Sequence, residues 1–193
     1  MDSTHEQQAS EAELLKAVAK GDHSAFERLY QYYEKRVFHY VRLFVRDQTL
    51  AEDVVAEVMV SVWRGACSFA HHSRVSTWIF GIARHKALDA LRKTGRYDRD
   101  GIPLEDTGDM PSGCESPMEQ AHRGEIGILT RRALKCLSLE HREVLRLVFY
   151  EELAYEEIAR MLGIPENTVK TRVFYAKQHL KKELDRLLQR THS

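Results

Sequence analysis

Three of the chain's four prolines, Pro103, Pro111 and Pro117, fall within residues 97–122, together with Gly101, Gly108 and Gly113. Proline removes a backbone donor and glycine adds conformational freedom, so no long helix or central strand is expected to run through this stretch. It divides the chain into two blocks in which apolar residues recur at period 3.6 rather than 2. The expected fold is therefore all-α: a helical domain over 10–96, a flexible linker over 97–122 and a second helical domain over 123–190. A length of 193 residues with 43% hydrophobic content supports two small cored units.

The formal net charge of zero conceals a division along the chain. Residues 1–96 hold 14 basic and 12 acidic side chains, residues 97–122 hold 1 and 7, and residues 123–193 hold 14 and 10. Two neutral-to-basic blocks thus flank an acidic joint, a pattern that leaves a nucleic-acid partner open.

The first block opens with a short apolar stripe, Leu14, Leu15, Val18 and Ala19, predicting a helix near Ser10–Lys20 that Gly21 and Asp22 interrupt. Ser24 with Glu27 reads as a capping box ahead of Phe26, Leu29, Tyr30, Tyr33, Val37, Tyr40, Val41 and Phe44, and Asp47 as the end of that helix. Thr49 with Glu52 reads as a second box before Val54, Val55, Val58, Val62 and Trp63. So many valines require tertiary packing to keep that segment helical.

The segment from Thr77 to Lys93 divides more sharply. At about 100° per residue, Ile79, Phe80, Ala83, Ala87, Ala90 and Leu91 share one side, and Trp78, His85, Lys86, Asp89, Arg92 and Lys93 the other. From Arg74 to Arg96 six basic residues face Asp89 alone. Cations beside an aromatic plate suit a phosphate chain carrying an unpaired base, while a buried indole on a solvated helix fits the same spacing.

The second block decides more. Helices are expected over 123–136, through Ile126, Leu129, Ala133 and Leu134, and after Ser138, which can cap a helix bearing Val144, Leu145 and Val148. Then Ala159, Gly163 and Val169 stand in the register of a helix-turn-helix: a small residue where helices cross, a glycine for a left-handed exit, and an apolar plug. Pro165 stands where the next helix starts. That helix should bury Val169, Val173, Ala176 and Leu180 and present Asn167, Lys170, Thr171, Phe174, Gln178 and Lys181. Amide, hydroxyl and ammonium groups suit base edges and phosphates, and a ring suits a thymine methyl. Arg172 lies at the edge of the buried stripe, where a phosphate contact, base reading and a clamp on its own domain all remain open.

With these residues in view, the chain resembles the sigma-70 family over roughly residues 11–190, in particular its two-domain extracytoplasmic-function members. AEDVVAEVMVSVW at 51–63 and STWIFGIARHKALDALRK at 76–93 resemble region 2, and the stretch 137–180 resembles region 4. The resemblance implies a promoter-specificity subunit of bacterial core RNA polymerase. It places Asp53, Glu57, Val58 and Trp63 on the helix that docks on the polymerase. Ser73, Thr77, Trp78, His85, Lys86, Asp89, Arg92 and Lys93, with His71 and His72, are placed at the opened minus-ten element. Asn167, Thr168, Lys170, Thr171, Arg172, Phe174, Tyr175, Gln178 and Lys181 are placed at the minus-thirty-five duplex. It further implies an anti-sigma protein that covers these faces and is able to hold the chain near the membrane, and an acidic joint that threads past the polymerase active-site channel. The sequence departs from many members at Leu139, where proline is usual, at Ala154, where serine or threonine is usual, and at Tyr175, where arginine is usual.

Other classes lack their signatures. Cys67, Cys114 and Cys136 form no CxxC pair, which disfavours a disulfide framework or cysteine zinc site and fits a reducing cytoplasm. No apolar run approaches the roughly 20 residues that span a bilayer, and the polar start does not resemble a signal peptide, so a soluble chain without membrane insertion is expected. The ten histidines include no HExxH, and no glycine-rich phosphate loop is present, so neither an enzyme nor a cofactor is expected. The competing reading is a helix-turn-helix regulator that binds duplex DNA without polymerase. A purely helical adaptor is the third.

Overall fold

The computed structural model describes residues 2–93 and 125–191. The linker expected over 97–122, Cys114 within it and Arg96 lie outside the described residues. The chain divides into two compact units, Met1–Asp106 and Thr107–Ser193. Among the described residues the secondary structure is helical throughout.

The first unit contains α1 (Asp2–Ala19), α2 (His23–Val41), α3 (Gln48–Gly65), a single 3-10 turn (Ala66–Ser68) and α4 (Val75–Lys93). The first helix begins well before the expected Ser10. Two aspartates take over the capping expected of the Ser24/Glu27 and Thr49/Glu52 boxes. The Asp22 carboxylate accepts from the backbone N–H groups of Ser24 and Ala25 at 2.9 and 3.1 Å. Asp47 accepts from Leu50 N–H at 2.7 Å, so it starts α3 rather than ending α2. An aspartate that reaches the orphan donors first fixes the helix start, and the following serine or threonine becomes an ordinary first-turn residue.

α2 stops at Val41, and the buried Phe44 lies beyond it. Arg42 closes this corner by donating to the carbonyls of Val45 and Arg46. The core is built on large rings: Tyr33, Tyr40 and Phe80 are fully enclosed, with Tyr40 and Phe80 edge-to-face at 5.3 Å. The Tyr33 hydroxyl donates to the buried Glu11 carboxylate at 2.7 Å, which ties α1 to α2. Burial and that carboxylate push the Tyr33 phenol above its ordinary range, so it stays a donor. All six residues expected on the inner face of α4 are buried.

The second unit contains α5 (Glu125–Lys135), α6 (Leu139–Phe149), α7 (Tyr155–Leu162) and α8 (Glu166–Thr191). The Ser138 hydroxyl caps α6 by accepting from His141 N–H at 3.3 Å. Ala154 has no oxygen to offer α7, but Glu157 accepts from Ala154 N–H at 3.2 Å, supplying the returning half of a capping box. Gly163 ends α7 with φ +68°, the left-handed exit expected of it, and Ile164 N–H bonds the Ala159 carbonyl at 3.1 Å. Val169, Val173 and Ala176 seat α8 on a core completed by Val144, Leu145, Leu147 and Ile158. Among the described residues no helix is long and apolar enough to cross a membrane.

Candidate nucleic-acid interface

The outer half of α8 follows directly from its buried stripe. With Val169, Val173 and Ala176 turned inward, Asn167, Lys170, Thr171, Phe174, Tyr175, Gln178 and Lys181 are exposed, and Thr168 is half-buried. Phe174 is 56% exposed, and its ring meets that of Tyr175 edge-to-face at 5.5 Å. Two of the polar groups are tied locally: Thr171 donates to the Asn167 carbonyl at 2.8 Å, and Lys170 pairs with Glu166 at 2.7 Å. Both ties are solvent-exposed, so a phosphate or a base edge can replace them at little cost.

Arg172 is resolved by its partner. Its guanidinium reaches Glu140 on α6 at 3.0 Å, across 32 positions of sequence, so in the free chain it is a clamp within its own domain. Beside it the rings of His141 and His179 approach edge-to-face at 5.3 Å. Burial first, then His179, hold the His141 imidazole below its ordinary pKa, with Arg172 adding to the effect and Glu140 opposing it.

In the first unit, Asp53 and Glu57 are exposed on α3 as their four-residue spacing implies. Val58, expected beside them, is a core residue instead: it is fully buried, because one step beyond Glu57 turns a side chain by about 100°. The apolar residue that does share the acidic row is Val60, 47% exposed. Sequence spacing contained that signal, since Asp53, Glu57 and Val60 are related by four and three positions. Trp63 is half-buried, stacked on His23 at 4.9 Å and edge-on to Phe26 at 5.1 Å.

On α4, His85, Arg92 and Lys93 are exposed and Lys86 and Asp89 half-exposed. Asp89 gathers two of its neighbours, Arg92 at 2.8 Å and His85 at 3.2 Å. Lys86 crosses to Glu57 on α3 at 3.3 Å. Thr77, expected to face DNA, is only 7% exposed and belongs to the inner side of the helix start. Ser73 is half-buried and donates to the Arg74 carbonyl at 3.3 Å, while His71 and His72 are exposed, His71 with φ +55°. Trp78 is half-buried against Phe69, ring centroids 5.0 Å apart. It is therefore neither sealed in the core nor freely projecting.

Among the described residues no three His, Cys, Asp or Glu side chains gather in a way that could hold a metal ion. Residues 29–97 match the family model for Sigma-70 region 2, and residues 133–182 match that for Sigma-70, region 4. ECF RNA polymerase sigma factor SigM of Mycobacterium tuberculosis is 33% identical over 171 residues, covering 89% of this chain and 83% of that protein. The chain belongs to the sigma-70 family, as an ECF RNA polymerase sigma factor. The ECF RNA polymerase sigma-E factor of Escherichia coli K12 is 28% identical over 190 residues, covering 95% of this sigma factor and 99% of that one. The solved structure of CnrH with the cytosolic domain of CnrY shares the fold at TM-score 0.63 and 23% identity, covering 91% of this chain and 97% of that one. The sigma factor RpoE of Bartonella quintana, solved with the anti-sigma factor NepR, gives TM-score 0.61 at 25% identity, covering 83% and 96%. A sigma factor directs RNA polymerase to promoters and is not an enzyme.

Proposed function

We propose that this sigma factor divides promoter recognition between its two units. The exposed row of α8, from Asn167 to Lys181, reads the duplex minus-thirty-five element in the major groove. The outer side of α4, with Trp78, His85, Lys86, Arg92 and Lys93, takes the opened minus-ten element, and the preceding loop with His71, His72 and Ser73 borders it. Asp53, Glu57 and Val60 on α3 meet core polymerase, with Trp63 holding the end of that helix on α2.

The observation that carries this reading is the inside-outside division of α8: the residues that build the helix-turn-helix core and those that can address DNA do not overlap. Each unit alone should bind weakly and with strong salt dependence, and polymerase raises the effective concentration of the second contact. The cytoplasm is the compartment this function requires. RpoE was captured with an anti-sigma factor, and in this reading an anti-sigma protein covers the faces of α3 and α8 here too.

The test adds the purified chain to sigma-free core polymerase on a promoter library and maps start sites and unpaired bases. Lys170 and Thr171 substitutions are expected to change the upstream preference, and Trp78 and Lys86 substitutions to impair opening. Specific duplex binding with no core-dependent opening would replace this reading with that of a regulator acting without polymerase.

A further inference from the structure

Gly65 is the last residue of α3, and its backbone is ordinary right-handed helix, φ −90° and ψ −7°. Any L-residue can adopt that conformation, so turn geometry does not require glycine here. The neighbour does: a Cβ at position 65 would stand 3.1 Å from Cζ2 and 3.5 Å from Cη2 of Trp78. The six-membered edge of the indole thus rests directly on the Gly65 backbone. Its flank is set by Phe69, tilted 43° against it, and Phe69 in turn meets His71 edge-to-face at 4.8 Å. Val75, Ser76 and Thr77, immediately ahead of Trp78, are buried and anchor the start of α4.

We infer that Gly65 and Phe69 are positioning residues for promoter opening: they form a seat at the end of the polymerase-facing helix that sets how far the Trp78 indole stands out toward unpaired DNA. This rests on the role proposed for Trp78. A methyl group at position 65 lifts the ring by a few tenths of an ångström, or tips it toward Phe69, and a stacked base registers such a shift. It also links the two surfaces of the first unit, since the helix bearing Asp53 and Glu57 ends in the seat.

The full-length chain with Gly65→Ala, Trp78→Phe, Trp78→Ala and the Gly65→Ala/Trp78→Phe double substitution separates the possibilities, each labelled with 5-fluorotryptophan and assayed with core polymerase. The Trp78 fluorine resonance, identified by its loss in Trp78→Phe, is expected to move in Gly65→Ala. Core affinity should stay unchanged, while the opened fraction, read by permanganate reactivity of unpaired thymines, falls about threefold against about tenfold for Trp78→Ala. In the Trp78→Phe background the Gly65→Ala change should have little further effect, because the smaller ring clears the methyl group. An unmoved resonance with normal opening in Gly65→Ala overturns the seat. So does a Gly65→Ala loss of equal size in the Trp78→Phe background. Should Gly65→Ala fail to fold, the double substitution is expected to restore folding, and failure to do so also overturns it. If Trp78→Ala itself opens promoters normally while the fluorine resonance moves in Gly65→Ala, it is the proposed role of Trp78 that falls, and the positioning role with it.

Discussion

The two units differ in whether large rings enter the core. In the first, Tyr33, Tyr40 and Phe80 are fully enclosed and Phe44 nearly so, whereas in the second Phe149, Tyr150, Phe174 and Tyr175 are all exposed, Tyr150 at 65%. The second unit closes instead on Val, Leu, Ile and Ala, and it buries three carboxylates, Glu143, Glu151 and Glu157. Its buried core is aliphatic, and its large rings at Phe149, Tyr150, Phe174 and Tyr175 stay at the surface. Both units are built on four α-helices, but in the first rings fill the interior. The first unit's outward surface carries charge together with Tyr32, Val60 and the half-seated indole.

The sharpest way to break this contrast is at its centre. Phe80→Ala should destabilise the first unit by about 4 kcal/mol, through lost burial and the cavity left among Tyr33 and Tyr40. Both tryptophans, Trp63 and Trp78, belong to this unit, so urea unfolding followed by tryptophan fluorescence reads it alone. Arg146→Ala should cost the second unit about 3 kcal/mol, because Arg146 pairs at 3.1 Å with a Glu151 carboxylate that is almost wholly buried. Hydrogen exchange of α6 and α7 amides measures that loss, and an unchanged tryptophan transition would confirm that it is confined to one unit.

Tyr33→Phe should cost about 1–2 kcal/mol, since it removes the hydroxyl donor from the buried Glu11 carboxylate. Phe174→Ala lies at the other extreme. It should change stability by less than about 0.5 kcal/mol, as an exposed position does, while weakening promoter complexes. A large stability loss there would refute the division of aromatics into core and contact roles.

The smallest effect is pH-dependent. Because His141 is held below its ordinary pKa in the folded state, the unfolded chain binds its proton first as pH falls. The stabilisation is complete above the ordinary histidine range and is lost as pH drops through that value toward the lowered one. Between pH 7 and 5 the second unit's exchange-derived stability should fall, and His141→Gln should flatten that slope; an equal slope in the variant would assign it to other groups.

What was legible in the sequence was whatever a single helix decides by itself. The six inward residues of α4, the left-handed Gly163 and the plug at Val169 are fixed by local periodicity and backbone sterics, and the structure places each accordingly. Capping is not decided by sequence where two candidates compete within three residues: Asp22 stands just ahead of Ser24 and Asp47 ahead of Thr49, and the aspartate takes the cap each time. The resemblance groups Val58 with Asp53 and Glu57 on one helix, but angular position buries Val58 and sets Val60 beside the two carboxylates. The remaining differences are long-range. Arg172 finds Glu140, Lys86 finds Glu57 and Trp78 finds Gly65, each on another helix, and no periodicity within one segment encodes such a meeting.

At 26 residues, α8 is about 39 Å long, far more than a groove-reading segment needs. One side of this rod is anchored to α5, α6 and α7 and the other is bare. Inheritance can therefore act on the two sides independently. Outward letters such as Asn167, Thr171 and Gln178 can be exchanged over generations without disturbing the scaffold, and under the proposed role of α8 a lineage would thereby acquire a new set of target genes while keeping the same domain.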